Sequence, residues 1–312
     1  MNDATPVGPA GAAGAACPAC RCPEATLFVA APVDREYYAR RAVSAEILRC
    51  DACRSLYQDP WPTAAEVQGF YGADYQNYTT TAVPLLAGVN AFYQRQLGAA
   101  FLREFGANPA VLDFGCGQGG FLRELAAAGC RRLAGFDFVL YPELGTISGA
   151  RFFDDLDEIH RSGLRFDVIR LRHVIEHLTD VDATLGKLTA LLTPTGRIIG
   201  QTPNAAHYTA RLMGSYWGPL HFPYHTVLFS PEGLRRTAAR SGLVLRKTTG
   251  SVLPTGWAMS GENFLKQVTG SRRRGRTAVY TLLMAASLPL AVLDRLLAPA
   301  ATANFDFELS RP

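Results

Sequence analysis

The sequence has little net charge, no basic leader and no uninterrupted apolar run of membrane-spanning length. Its 312 residues include 31 Lys or Arg and 27 Asp or Glu, leaving +4 at pH 7. That excess is too small to indicate a nucleic-acid binder without a local cluster. Residues 17–60 offer no basic, aromatic-interleaved face of the kind that grips single strands. The first sixteen residues are mostly Ala, Gly and Pro. They lack the charged start of a signal peptide and read as a disordered tail, 1–16, so a cytoplasmic location is expected. The longest apolar stretch, Thr277–Leu293, is interrupted by Asp294 and Arg295 before Leu296-Leu297. It falls short of the ~20 residues a span needs.

What is present divides the chain into four. Residues 17–60 carry paired cysteines, and 61–105 are aromatic-rich and predicted helical, a lid or linker. Residues 106–312 form a main domain that ends in an apolar helix at about 277–297. Within the main domain, strand candidates recur at Ala110–Phe114, Arg132–Phe136, Arg151–Phe153, Phe166–Leu171, Gly196–Gln201, Leu243–Thr248 and Asn304–Leu309. Helical patterns such as Phe121–Ala126 and Ala183–Leu192 lie between several of them. This alternation predicts an α/β fold with a doubly wound, mostly parallel sheet. Ligands of such sheets sit beyond the carboxyl ends of the strands.

A glycine-rich turn falls at that place. Asp113 closes the first strand, and Gly115, Gly117 and Gly119 follow before a helix starts near Gly120. Glycines let the backbone turn sharply and approach a ligand closely, and a helix N-terminus offers unpaired N–H groups. Asp137 ends the next strand, and an acid about 20 residues on suits a ribose diol. A glycine-rich turn alone fits a dinucleotide equally well. The acid ahead of the first glycine points elsewhere: it would repel a pyrophosphate but suits the ammonium end of a cationic, methionine-like ligand.

On these residues, 111–250 resemble a class I S-adenosylmethionine-dependent methyltransferase with a Rossmann-like, seven-stranded sheet. Phe166-Asp167-Val168-Ile169, His173–Leu178, Leu191–Arg197 and Thr202-Pro203-Asn204 are similar to that family's fourth and fifth strand regions. The resemblance implies that the loop Asp113, Gly115, Cys116, Gly117, Gly119 cradles the amino-acid part of S-adenosyl-L-methionine. It implies that Asp137 holds the ribose with Phe138 beside it. Asp154, Asp155 and Leu156 would flank the adenine, with Asp154 or Asp155 accepting from its amino group.

Cys17-Pro18-Ala19-Cys20 and Cys50-Asp51-Ala52-Cys53 are two Cys-x-x-Cys knuckles. Together they can complete a tetrahedral, structural Zn2+ site, with Leu27–Ala30 and Ile47–Cys50 as strands of a small ribbon. Cys22 is a fifth thiol that could compete. Many bacterial methyltransferases of sugar, polysaccharide and secondary-metabolite pathways have a similar ribbon. They follow it with stretches like Leu56–Pro62 and Phe70–Tyr75; here Arg54-Ser55 replaces the usual glycine after the second knuckle. Tyr71, Tyr75 and Tyr78 are read either as a lid over the cofactor or as helix packing.

At the reacting end, His173 follows the fourth strand, with Glu176 and His177 one turn on and His225 after the fifth strand. Two readings stay open. In one, His173 or His225 is a general base. In the other, His173, Glu176, His177 and His225 hold a second divalent cation that orients and acidifies an acceptor hydroxyl. The second follows a similarity to ubiquinone-pathway O-methyltransferases and small-RNA 2′-O-methyltransferases, in which a Glu stands where this chain has His173. A bracing role for Glu176 and His177 is the plain alternative.

Arg272-Arg273-Arg274-Gly275-Arg276 precedes the apolar helix, which suits peripheral contact with an anionic membrane. The expected acceptor is a small molecule, a sugar or a lipid-linked glycan, methylated at oxygen. An RNA methyltransferase and a non-catalytic protein that keeps the fold are the rivals.

Overall fold

The computed structural model describes residues 16–36, 43–70, 84–272, 278–297 and 302–312. The tail up to residue 15, Tyr71, Tyr75, Tyr78, and Arg273, Arg274 and Arg276 lie outside the described residues.

Two sheets organise the chain. The smaller holds β1 (Ala25–Val29), β2 (Glu46–Cys50), β3 (Leu56–Asp59) and β9 (Val227–Leu228), in that order and antiparallel throughout. The larger has seven strands: β4 (Val111–Phe114), β5 (Leu133–Phe136), β6 (Ala150–Phe153), β7 (Phe166–Arg172), β8 (Leu192–Pro203), β10 (Val244–Gly250) and β11 (Asn304–Ser310). Their order is β10-β11-β8-β7-β4-β5-β6. Neighbours from β8 to β6 are parallel, and β11 enters antiparallel between β8 and β10. The expected doubly wound, mostly parallel sheet is therefore the observed one.

Both faces of the large sheet are covered, so its central strands read as continuous apolar runs. Successive residues separate cleanly. Leu112, Ala134, Ile169 and Ile198 enter one core with Phe305 and Leu185. Val111, Leu133 and Val168 enter another with Phe101, Phe121, Leu122 and Leu125. The second core lies under α2 (Pro84–Phe105) and α3 (Gly120–Ala127), and Phe101 meets Phe121 edge-on at 5.3 Å.

The remaining helices are α1 (Ala64–Phe70), α4 (Leu156–Arg161), α5 (Val181–Ala190), α6 (Tyr208–Met213), α7 (Pro231–Arg240), α8 (Thr255–Thr269) and α9 (Ala278–Leu297). Helix α9 corrects the sequence expectation. Its extent is close to the expected 277–297, but Val279–Leu297 is long and apolar enough to cross a membrane by length and composition. Asp294 is tolerated because it is buried with partners: it accepts from the Tyr208 hydroxyl at 2.7 Å and from Trp257 Nε1 at 2.9 Å. Pairing of that kind removes most of the cost of a buried charge.

Candidate active site

The turn after β4 is built as its glycines demand. Gly115, Gly117 and Gly119 all have positive φ, at 84°, 52° and 73°. At two of them a side chain has no room. A Cβ on Gly115 would lie 2.4 Å from Val174 Cγ2, and one on Gly119 would lie 2.6 Å from Ile147 Cδ1. Gly117 differs, since a Cβ there meets nothing within 4 Å. A side chain there would therefore point into open space.

Asp137, at the end of β5, ties this turn in place: its Oδ2 accepts from Gly117 N–H at 2.7 Å. Burial raises its carboxyl pKa against the pull of that N–H. Phe138, Val139 and Leu140 follow directly and are exposed, Phe138 by 70%. An exposed apolar run beside an anchored acid suits a flat base stacked next to a ribose. After β6 the two aspartates separate. Asp155 caps α4 by accepting from Asp157 N–H and pairs with Arg161 at 2.9 Å. Asp154 is exposed beside it.

Asp113 and Cys116 lie beneath the turn. Asp113 is 2% exposed, and its Oδ1 takes Arg170 of β7 at 2.7 Å. Arg170 in turn lies over the Phe121 ring at 4.1 Å. This carboxylate, expected to meet an ammonium group, is paired with the Arg170 guanidinium. Cys116 is packed into the second core, where burial pushes its thiol pKa up.

At the end of β7 the chain turns through His173, at φ 54°. The ring is held from both sides. Its Nδ1 lies 3.3 Å from Glu176 Oε1 and its Nε2 lies 3.1 Å from Gln201 Oε1. Gln201 is oriented by donating to Asp306 Oδ1 at 2.6 Å. Each ring nitrogen thus faces a side-chain oxygen of the protein.

Glu176, His177 and His225 converge instead, each offering a ligand atom within 4.8 Å of the others. Glu176 is fully buried and accepts from Thr202 Oγ1 at 3.0 Å through its second oxygen. Burial opposes its ionisation, but the hydrogen bond and charge of His173 and the charge of His177 prevail, and its pKa falls below the ordinary value. His177 Nδ1 lies 3.0 Å from Tyr224 O, and His225 Nδ1 lies 2.7 Å from Pro219 O. Burial lowers the His177 pKa to about 4 and that of His225 well below its ordinary value. Two neutral imidazoles oriented through Nδ1 by backbone carbonyls, beside a carboxylate, make a donor set suited to a divalent cation. The rings of His177 and His225 are 4.6 Å apart.

The four knuckle cysteines form a second such group, also within 4.8 Å. Cys17 and Cys53 sulfurs are 3.8 Å apart, and those of Cys20 and Cys50 are 3.4 Å apart. A tetrahedral zinc with bonds of ~2.3 Å places its sulfurs roughly 3.8 Å apart, so the thiols fit that ion. Cys22 stands outside, donating to Glu24 Oε2 at 2.9 Å. Arg21 and Arg54, each directly after a knuckle, both have φ 66°. That is the left-handed region, which explains why glycine is favoured there.

Sequence reasoning missed Arg170, Gln201 and Thr202. The signal for the last two was a pair of polar residues closing an apolar strand, where ligand-facing residues of parallel sheets concentrate.

Residues 89–248, more than half of the chain, match a family described as a methyltransferase domain. A ubiquinone biosynthesis O-methyltransferase of Rhodopseudomonas palustris strain BisA53 is 26% identical over 192 residues, covering 52% of this chain and 74% of that protein. One from strain BisB5 is 28% identical over 171 residues, covering 48% and 65%. Among solved structures, the magnesium protoporphyrin IX methyltransferase of Synechocystis PCC 6803 with bound SAH is similar with a TM-score of 0.43. It is 16% identical, over 78% of this chain and 92% of that one. With the strand order and the three-glycine turn already in place, the family match makes this chain a member of the methyltransferase-domain family, a class I S-adenosylmethionine-dependent methyltransferase.

Proposed function

We propose that this chain methylates a hydroxyl of a small-molecule acceptor, and that Glu176, His177 and His225 hold a divalent cation beside that hydroxyl. The observation that carries the reading is the convergence of these three residues at the end of β7. They stand next to the cofactor turn that Val174 touches at Gly115.

The chain's own residues divide the work. The open backbone at Gly117 and the N-terminus of α3 receive the amino-acid part of the methyl donor. Asp137 holds the ribose diol, Phe138 lies against the base, and Asp154 accepts from its amino group. Glu176, His177 and His225 supply one anionic and two neutral donors. A cation bound there acidifies an acceptor hydroxyl and fixes its direction. His173 braces Glu176 from one side and Gln201 from the other. Cys17, Cys20, Cys50 and Cys53 hold a structural zinc. The relatives' printed name supports oxygen as the methylated atom.

His225→Ala is expected to lower turnover at least about 100-fold while SAH affinity stays within roughly twofold. His173→Ala is expected to cut turnover less, because it removes a brace and no ligand. Transfer from radiolabelled S-adenosylmethionine to a panel of catechols and sugars checks both. A wild-type rate in His225→Ala, or in enzyme freed of divalent cations, overturns the cation reading.

The α9 surface supports a second part of the proposal, contact with an anionic membrane by a lipid-linked or amphiphilic acceptor's enzyme. Tyr280, Ser287, Ala291 and Asp294 are buried against the protein. The rest of the helix exposes Leu282, Leu288, Val292, Leu293, Leu296 and Leu297. Among the described residues of α8 and α9, neither carboxylate, Glu262 or Asp294, is exposed. The linker between these helices carries the arginine run Arg272–Arg276. Flotation with phosphatidylglycerol vesicles is expected, with little on phosphatidylcholine, and Leu293→Glu with Leu296→Glu abolishes it. Equal recovery with and without vesicles sinks this part alone.

A further inference from the structure

We infer that the amino-terminal cysteine module positions the cation cluster, through the side chains of Gln58 and Glu36. The inference rests on the cation reading of Glu176, His177 and His225 and deepens it.

Gln58 is on β3, five residues after Cys53, and is 1% exposed. Its Nε2 donates twice, to Pro223 O and to His225 O, each at 2.8 Å. Its backbone N–H donates to Thr226 O at 3.1 Å. One side-chain amide thus clamps the backbone on both sides of Tyr224. That short segment does two things for the cluster: it carries the His225 ring, and it supplies the Tyr224 carbonyl that orients His177 through Nδ1. Two of the three donors are therefore aimed by a peptide segment that Gln58 holds. The next residue fixes the third, since Thr226 N–H donates to Glu176 O at 2.8 Å.

Glu36 acts at the other end of the same loop. It lies on the stretch between β1 and β2, and its Oε2 is 2.8 Å from His221 Nδ1. His221 has φ 38°, and its ring is 4.9 Å from that of His225. The acid therefore helps keep the loop in a strained conformation that places His225.

The module is itself docked where the thiols are. Thr237 Oγ1 of α7 donates to Ala19 O at 2.8 Å, and Arg240 Nη1 donates to the same oxygen at 2.6 Å. Ser230 N–H donates to Ser55 Oγ at 3.1 Å, and β3 pairs with β9. The route from the Cys50–Cys53 knuckle to His225 is thus one short strand, hydrogen-bonded on its far edge to the catalytic domain. Gln58 and Glu36 touch none of the reacting atoms. They are positioning residues.

The test uses the purified full chain titrated with Mn2+, followed by the EPR signal of the free ion, with SAH affinity measured alongside. Mn2+ prefers oxygen and nitrogen donors and leaves thiolate sites alone. Gln58→Met keeps the volume and removes both donors. It is expected to weaken Mn2+ binding about 10-fold or more, the range seen when orienting partners of metal ligands are lost, with SAH affinity unchanged. Glu36→Gln is expected to weaken it several-fold and decides the question if Gln58→Met does not fold. Wild-type Mn2+ affinity in both variants overturns the inference and spares the cation reading. A wild-type chain that binds no Mn2+ overturns both.

Discussion

Gly117→Val is expected to abolish measurable binding of S-adenosylmethionine, a loss of at least about 100-fold, or roughly 2.7 kcal/mol, while the fold survives. The argument turns on the difference between the three glycines of the turn. At Gly115 and Gly119 a side chain would strike Val174 or Ile147, so substitution there confuses loss of binding with loss of packing. At Gly117 the added atoms meet no protein atom within 4 Å. Its φ of 52° is left-handed, and a β-branched residue pays roughly 1–2 kcal/mol to stay there. That cost is small beside the stability of a domain of this size. The new methyl groups then occupy the space the ligand needs, and Asp137 loses the geometry of its bond to Gly117 N–H. Calorimetry with SAH, paired with a thermal melt, checks both halves. Wild-type affinity in this variant would remove the turn as the donor site.

Cys50→Ser is expected to have the largest effect on stability. One zinc per chain is predicted for the native protein by elemental analysis, and close to none for the variant. Four sulfurs this close do not ionise together unaided. The hydrogen bond to Cys53, burial and the charge of Cys53 push the Cys17 pKa up, while the Cys17 S–H lowers that of Cys53 to about 5. A divalent cation resolves that conflict, and in small zinc modules its binding energy is folding energy. The ribbon has little core of its own beyond Val29, Ile47 and Leu56. Its loss exposes the edge of β3 and frees the loop bearing His225, so the melting temperature is expected to fall on the order of 10 °C. An unchanged melt with full zinc content would show that Cys50 is not among the ligands, and a native protein free of zinc would show that the cysteines hold none.

Much of the fold was legible in the sequence because parallel strands buried on both faces announce themselves as short apolar runs. Six of the predicted strands differ from the observed ones by a residue or two, while β8 begins four residues earlier, at Leu192. The glycine turn and the two cysteine knuckles were legible for a different reason, since their chemistry needs fixed residue types at fixed local spacing. What escaped was every partnership made across the fold. Asp113 precedes the first glycine as a ligand-facing acid would, but Arg170, 57 residues on, claims it. The sequence groups His173, Glu176, His177 and His225, yet only the tertiary structure separates His173 from the other three and shows the carbonyls that orient His177 and His225. Gln58 looked like one polar residue in a short strand. Its partners lie 165 and 167 residues away, beyond the reach of any periodicity.

Strand β11 has a consequence for how the protein is made. It follows β8 and β10 in the chain, so it is synthesised after both, yet it belongs between them. Until it arrives, the newborn chain carries two open sheet edges, the kind of surface that invites pairing with another copy. The same strand brings Asp306, which orients Gln201 and through it His173. Insertion of this strand therefore closes the vulnerable edges and sets the support of His173 in one event.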